Sequence, residues 1–193
     1  VEPGHVQHFW NAWADGDRIE LRGARWKQVD FGYEAEGESI EVEPALPATY
    51  WVDLAEGTAG WEHFDDMGGE MCRFNDDYNG VENRNDYMAA DTHDRGRRGA
   101  FDARAAYDAR TGTRQLGAFA GAREVAEPDF APDPGGSDEG DGWVLIPAVD
   151  RGATRSELHV FEATRIEDGP MAVVRLPQWV PAGFHANWFP AGA

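Results

Sequence analysis

The chain has 193 residues, 41% of them hydrophobic, with 8 Trp and 10 Phe: enough bulky apolar material for one domain with a sizeable core, and too much for a disordered acidic tail. Asp and Glu number 36 against 17 Lys and Arg, a formal net charge of -19, which excludes the basic footprint that a nucleic-acid partner requires. No apolar run approaches the roughly 18 residues that cross a membrane as a helix, and no signal peptide is visible.

Lys27 is the only lysine. An acidic, lysine-poor composition suits a protein working in concentrated salt, where screening removes self-repulsion, although a GC-rich genome would also favour Arg over Lys. Cys72 stands alone, so no disulfide framework exists, and a reducing cytoplasm is the expected compartment. Beside Met71 and Phe74 it reads as a core residue rather than a nucleophile. The chain opens on Val rather than Met, from which more sequence is expected upstream.

In chain order, the pattern is one of strands and tight turns. His8 to Trp13 turns at Asp15-Gly16 into Arg18 to Leu21. Tyr50-Trp51-Val52-Asp53 leads through Gly57-Thr58 to Phe64, and Ala106-Tyr107-Asp108 leads through Gly112-Thr113 to Phe119. Asp to Gly is four residues in both and Asp to Phe eleven, with the two copies 55 residues apart. Trp143 to Val149 turns through Asp150-Arg151-Gly152 into Leu158 to Phe161. A looser third copy of the repeat, Val160-Phe161-Glu162 leading to Gly169, follows 54 residues after Asp108. Helical periodicity is weak throughout. The expected fold class is all-β, with hairpins recurring at the length of propeller blades; a sandwich is the plainer alternative. At this period 193 residues supply an incomplete set of about three to four blades, below the roughly four to eight that close a ring.

The acidic stretch Pro132 to Gly142 lacks the ligand spacing of a calcium loop and is expected to be a solvated connection. Arg95-Gly96-Arg97-Arg98 reads the same way. His63, His93 and His159 are assigned to hairpin or loop positions where solvent or a hydrogen bond explains them, and His5 is given no special role. No phosphate loop or zinc-binding His-Glu-x-x-His helix is present. If the strand around His8 alternates strictly, Val6, His8, Trp10 and Ala12 share one face and Phe9, Asn11 and Trp13 the other. A histidine among apolar neighbours is more often a hydrogen-bonded core residue than a ligand, so residue types alone leave both readings open for His8 and His185.

Five segments in order carry a resemblance. They are Val6 to Asp17 around His8, Glu70 to Gly80, Glu127-Pro128-Asp129-Phe130-Ala131-Pro132, Asp141-Gly142-Trp143-Val144-Leu145, and Leu176 to His185. Together they resemble the C-terminal part of the carotenoid cleavage oxygenases, which include the stilbene-cleaving dioxygenases. Met71-Cys72 departs from the family's Phe-Pro, and Lys27 to Ala48 and Val81 to Ala103 match least. The resemblance implies a seven-bladed β-propeller of which residues 1–193 are the C-terminal part, with the N-terminal blades absent. It further implies one iron(II) held by four histidines, of which His8 and His185 are two. Glu70 and Glu127 would be the carboxylates that accept the free ring N–H of His8 and His185 respectively, and no residue need act as nucleophile or general base.

The implied activity is O2-dependent cleavage of a carbon–carbon double bond in a carotenoid, apocarotenoid or stilbene. The implied location is cytoplasmic, with peripheral membrane contact as one way of reaching such substrates. With two of four histidines, residues 1–193 alone are expected to be inactive. The reading of another class is a non-catalytic remnant, or a β-rich module binding an apolar ligand.

Overall fold

A computed structural model describes residues 2–27, 43–92, 101–121, 123–181 and 183–191. His93 and the Arg95–Arg98 run lie outside the described residues. The strands are β1 (His5–Asp15), β2 (Arg18–Trp26), β3 (Leu46–Asp53), β4 (Thr58–His63), β5 (Gly69–Phe74), β6 (Asn85–Ala90), β7 (Ala103–Asp108), β8 (Thr113–Ala118), β9 (Arg123–Val125), β10 (Asp129–Pro132), β11 (Gly142–Asp150), β12 (Arg155–Glu162) and β13 (Ala172–Arg175). Two single 3-10 turns, Asp76–Tyr78 and Ile166–Asp168, are the helical content of the described residues. The expected all-β class is what the described residues adopt.

The strands form three antiparallel sheets, ordered β1-β2-β3-β4, β5-β6-β7-β8 and β10-β11-β12-β13, with β9 pairing the far end of β11. The sequence repeat marks equivalent places in them. Its first two copies are the third and fourth strands of the first and second sheets, joined at Asp53–Thr58 and Asp108–Thr113. The looser third copy falls on β12 and β13, the third and fourth strands of the last sheet.

Each repeat aspartate builds its own turn. Asp53 Oδ1 accepts the Glu56 amide at 2.9 Å, and Asp108 Oδ1 accepts the amides of Arg110 and Thr111 at 3.0 and 3.2 Å. Four residues on, Gly57 and Gly112 take φ of 65° and 68°, where a Cβ is disfavoured. The β11–β12 hairpin follows the same plan, with Asp150 Oδ1 accepting the Ala153 amide at 2.9 Å. Its left-handed position, however, is occupied by Thr154 at φ 48°.

The sheets stack as layers, with the second in the middle. Alternation along β6 sends Tyr87 and Ala89 into a core shared with Phe130, Val144, Ile146 and Phe161 of the third sheet. Met88 and Ala90 go the opposite way, to Trp10 and Ala24 of the first. A strand buried on both faces cannot alternate apolar with polar, which is why β6 and β7 read Tyr-Met-Ala-Ala and Ala-Arg-Ala-Ala-Tyr. Cys72 lies in the core between the first two sheets, as its neighbours suggested, and burial pushes its thiol well up. The outer faces are apolar too. Ile19, Leu21, Tyr50, Val52 and Trp61 on the first sheet and Leu145, Leu158 and Val160 on the third stay only partly buried.

Polar networks lock the layers in register. The buried Asn11 side chain donates to Tyr78 O, Val81 O and Asn83 Oδ1 at 2.7 to 3.0 Å, and accepts the amides of Ala12 and Gly80. Arg22 adds bonds to Asn83 and an ion pair with buried Asp86 at 2.8 Å. The Pro132–Gly142 connection is exposed from Pro132 to Asp138, as expected of a solvated loop, but its far end is tied down. Glu139 reaches across to accept the amides of Arg84 and Asn85, at 2.7 to 2.9 Å, and its carbonyl accepts Asn75 Nδ2.

Thr154→Gly should raise stability by about 1 kcal/mol, because it removes a side chain from a left-handed conformation; an upward shift of the urea midpoint at unchanged slope checks this. Ellman's reagent should leave Cys72 untouched in native buffer and titrate it only in denaturant.

Candidate metal centre

His8 stands on β1 at an irregularity. Val6 faces Arg25, Phe9 faces Gly23 and Asn11 faces Arg22, so β1 carries an extra residue in each of two successive intervals. The strict alternation expected for this strand is therefore broken: Trp10 and Asn11, adjacent in sequence, are both buried. Trp10 fills the core and donates its indole N–H to Tyr87 O at 2.7 Å, while Asn11 holds the network described above. The bulges free His8 from that pattern.

β5 has the matching distortion. Glu70 faces Ala89 and Arg73 faces Tyr87, with one extra residue between them on β5, and Met71 takes φ of 61°. Glu70 Oε2 accepts the Met71 amide at 2.9 Å, which holds the bulge, and also meets His8 Nδ1 at 2.5 Å. Its other oxygen accepts the Trp26 indole N–H at 2.7 Å. Three elements thus converge on one buried carboxylate.

The second pair is built just before β10. Buried Glu127 meets His185 Nδ1 at 3.4 Å and accepts the Ala186 amide at 2.9 Å. Two residues on, Asp129 accepts the Trp188 amide and binds Arg73 Nη2 at 2.5 Å. The His8 and His185 rings then face one another with centroids 5.2 Å apart and planes at 64°. Both expected histidine–glutamate pairings are present in the structure. His185 is the more open of the two, 59% exposed against 22% for His8.

Electrostatics follow the geometry. The hydrogen bond that His8 donates to Glu70, with the charges of Glu70 and Glu127, raises the His8 imidazole above its ordinary value against the opposing effect of burial. Burial lifts the Asp129 carboxyl, while Arg73 and the amides of Trp188 and Phe130 pull it down. In each pair a carboxylate takes the Nδ1 side, so the neutral ring that donates Nδ1–H presents its lone pair at Nε2. Among the described residues no three His, Cys, Asp or Glu converge as a complete metal cluster. Two imidazoles are what the chain brings together.

The other assignments divide. His63 ends β4, with Nδ1 3.3 Å from Pro47 O, and His5 begins β1. His159 lies on a hairpin strand and has a hydrogen-bond partner, as expected, but it is buried: it sits in mid-strand on β12, paired with Glu157 at 3.0 Å and set against Phe119 and Phe161. Burial, despite Glu157, holds its imidazole below the ordinary value. A polar cleft of about 740 Å³, lined by Arg84, Asp108, Glu139 and Thr164, contains none of the four site residues. Reasoning from sequence missed Trp26, Arg73 and Asp129; the last two lie inside matched segments, but nothing in their residue types announces their partners.

The sequence profile of the family described as "Retinal pigment epithelial membrane protein" matches residues 1–190. The chain is 28% identical to the apocarotenoid-15,15'-oxygenase of Synechocystis sp. over 97% of its own length and 39% of that relative's. It is 29% identical to a carotenoid cleavage oxygenase of Mycobacterium tuberculosis over 98% of its length and 38% of the relative's. A 64-residue stretch is 34% identical to lignostilbene-alpha,beta-dioxygenase isozyme III of Sphingomonas paucimobilis, covering 33% of this chain and 13% of that one. The fold superposes on cobalt-substituted Synechocystis apocarotenoid oxygenase with a TM-score of 0.84 at 28% identity, over 96% of this chain and 39% of the other. The chain thus spans about two fifths of the length of the Synechocystis and Mycobacterium relatives, and over that span it belongs to the family of the carotenoid cleavage oxygenases.

Proposed function

We propose that this chain is part of an iron(II)-dependent oxygenase that splits a carbon–carbon double bond of a carotenoid, apocarotenoid or stilbene with O2. His8 and His185 are two of the metal's ligands in this reading. The observation that carries it is the facing pair of imidazoles, each held at Nδ1 by its own buried glutamate. That arrangement leaves two Nε2 lone pairs for one ion, and imidazole suits Fe(II). One solved relative is a cobalt-substituted apocarotenoid oxygenase, so that protein accommodates a transition metal.

Bound there, iron would supply O2 activation at positions its protein ligands leave open. The chain's own residues hold and orient. Glu70 and Glu127 keep the proton at Nδ1, select the tautomer and contribute negative charge. Trp26 and the Met71 amide fix Glu70 so that His8 cannot swing. The remaining ligands and the apolar substrate tunnel are assigned to residues outside 1–193. The three sheets are then consecutive blades of a propeller, and the apolar outer faces of the first and third sheets are where neighbouring blades stack.

Metal analysis of the complete protein should find one iron, lost in His8→Ala and in His185→Ala; Glu70→Gln should weaken binding by about 10- to 100-fold. O2-dependent release of two carbonyl products from a carotenoid, apocarotenoid or stilbene tests the activity. Residues 1–193 alone should retain little or no iron and should self-associate through the open sheet faces. Stoichiometric iron resistant to EDTA, or a monodisperse and cooperatively melting monomer, would count against the incomplete site and the incomplete ring respectively.

A further inference from the structure

His185 lies on a segment that is not part of any strand, which needs another anchor. Glu127 accepts the Ala186 amide and Asp129 accepts the Trp188 amide. Donors and acceptors are both two residues apart, so two side-chain carboxylates take the place of the carbonyls of a neighbouring strand. Pro128 between them is fully buried, and Asp129 Oδ1 also accepts the Phe130 amide at 3.1 Å. Arg73 completes the arrangement, with Nη2 2.5 Å from Asp129 Oδ1 and 3.5 Å from Asn187 Oδ1.

Arg73 reaches this place because of the β5 bulge. Residues three apart on a regular strand point to opposite faces. Here Glu70 and Arg73 face Ala89 and Tyr87, which are two apart and share a face, so the extra residue turns Glu70 and Arg73 to one side. β5 thereby serves both histidines, through Glu70 directly and through Arg73 by way of Asp129.

We propose that Arg73 and Asp129 are a positioning pair for His185, clamping the terminal segment so that its imidazole meets His8. Their purpose rests on the metal-centre reading, but their effect on the segment is measurable without metal.

Hydrogen–deuterium exchange with mass spectrometry on the complete protein tests it. In Asp129→Ala, exchange in peptides covering 183–191 should rise by about tenfold or more, the factor that follows from losing a hydrogen bond to a charged acceptor. Peptides around His8 should not change. Asp129→Asn, which keeps an oxygen for the Trp188 amide, should lie between Ala and wild type. Arg73→Met, which leaves the carboxylate but removes its brace, should loosen the same peptides alone. Iron occupancy should follow the same order. Unchanged exchange at 183–191, or equal loosening of the His8 strand, would overturn the proposal. A segment that loosens as expected in a protein whose wild type holds no iron would uphold the clamp and sink the metal reading instead.

Discussion

A single buried carboxylate, that of Glu70, is the constraint around which the rest of the site is arranged. An acid removed from water is costly unless donors surround it, and Glu70 has three: a ring nitrogen from β1, an indole from β2 and an amide of its own strand. Each donor comes with a structural concession. β1 takes two extra residues, Trp26 turns its indole inward, and Met71 adopts a left-handed backbone. Strain of this kind persists only where surroundings over-determine it, and the surroundings here are the two cores that flank β5.

Those cores explain the strand compositions. The middle sheet is covered on both sides, so it uses alanine where sheets approach closely and large residues at intervals: Met88 and Tyr107 toward the first sheet, Tyr87 and Phe119 toward the third. Charged residues that enter this region are satisfied by position. Arg104 donates to Ile166 O and Gly117 O while lying over the rings of Phe119 and Phe161. The layers are held by packing and registered by buried polar groups such as Asn11, Asn83 and Arg22.

Much of this was legible in the sequence, for identifiable reasons. An aspartate four residues before a glycine is a turn with a mechanism, and its recurrence located equivalent hairpins in separate sheets. Motif order paired His8 with Glu70 and His185 with Glu127. What could not be read were features that violate local periodicity. The bulges of β1 have no signature beyond a tryptophan and an asparagine that both had to be buried. Arg73 and Asp129 meet 56 residues apart because a bulge rotates one of them, an effect invisible in spacing. The burial of His159 was not announced by its residue type, because Ser156, Glu157 and His159 are polar; all three are buried on one strand. The turn signal also failed to mark Thr154, where geometry overrides residue preference.

The connection from Pro132 to Gly142 has a consequence for how the family can vary. Loops between strands ordinarily tolerate changes in length, since lengthening a flexible closure adds little entropy. This one is tied at its far end by Glu139 to the entry of β6 and tied internally by Asp141, which accepts the amides of Ser137 and Asp138. It therefore acts as a strut of set length between adjacent sheets rather than as slack. Insertions and deletions among descendants of this chain should accumulate in hairpins such as Arg151–Thr154, while the segment from Ser137 to Asp141 keeps its length.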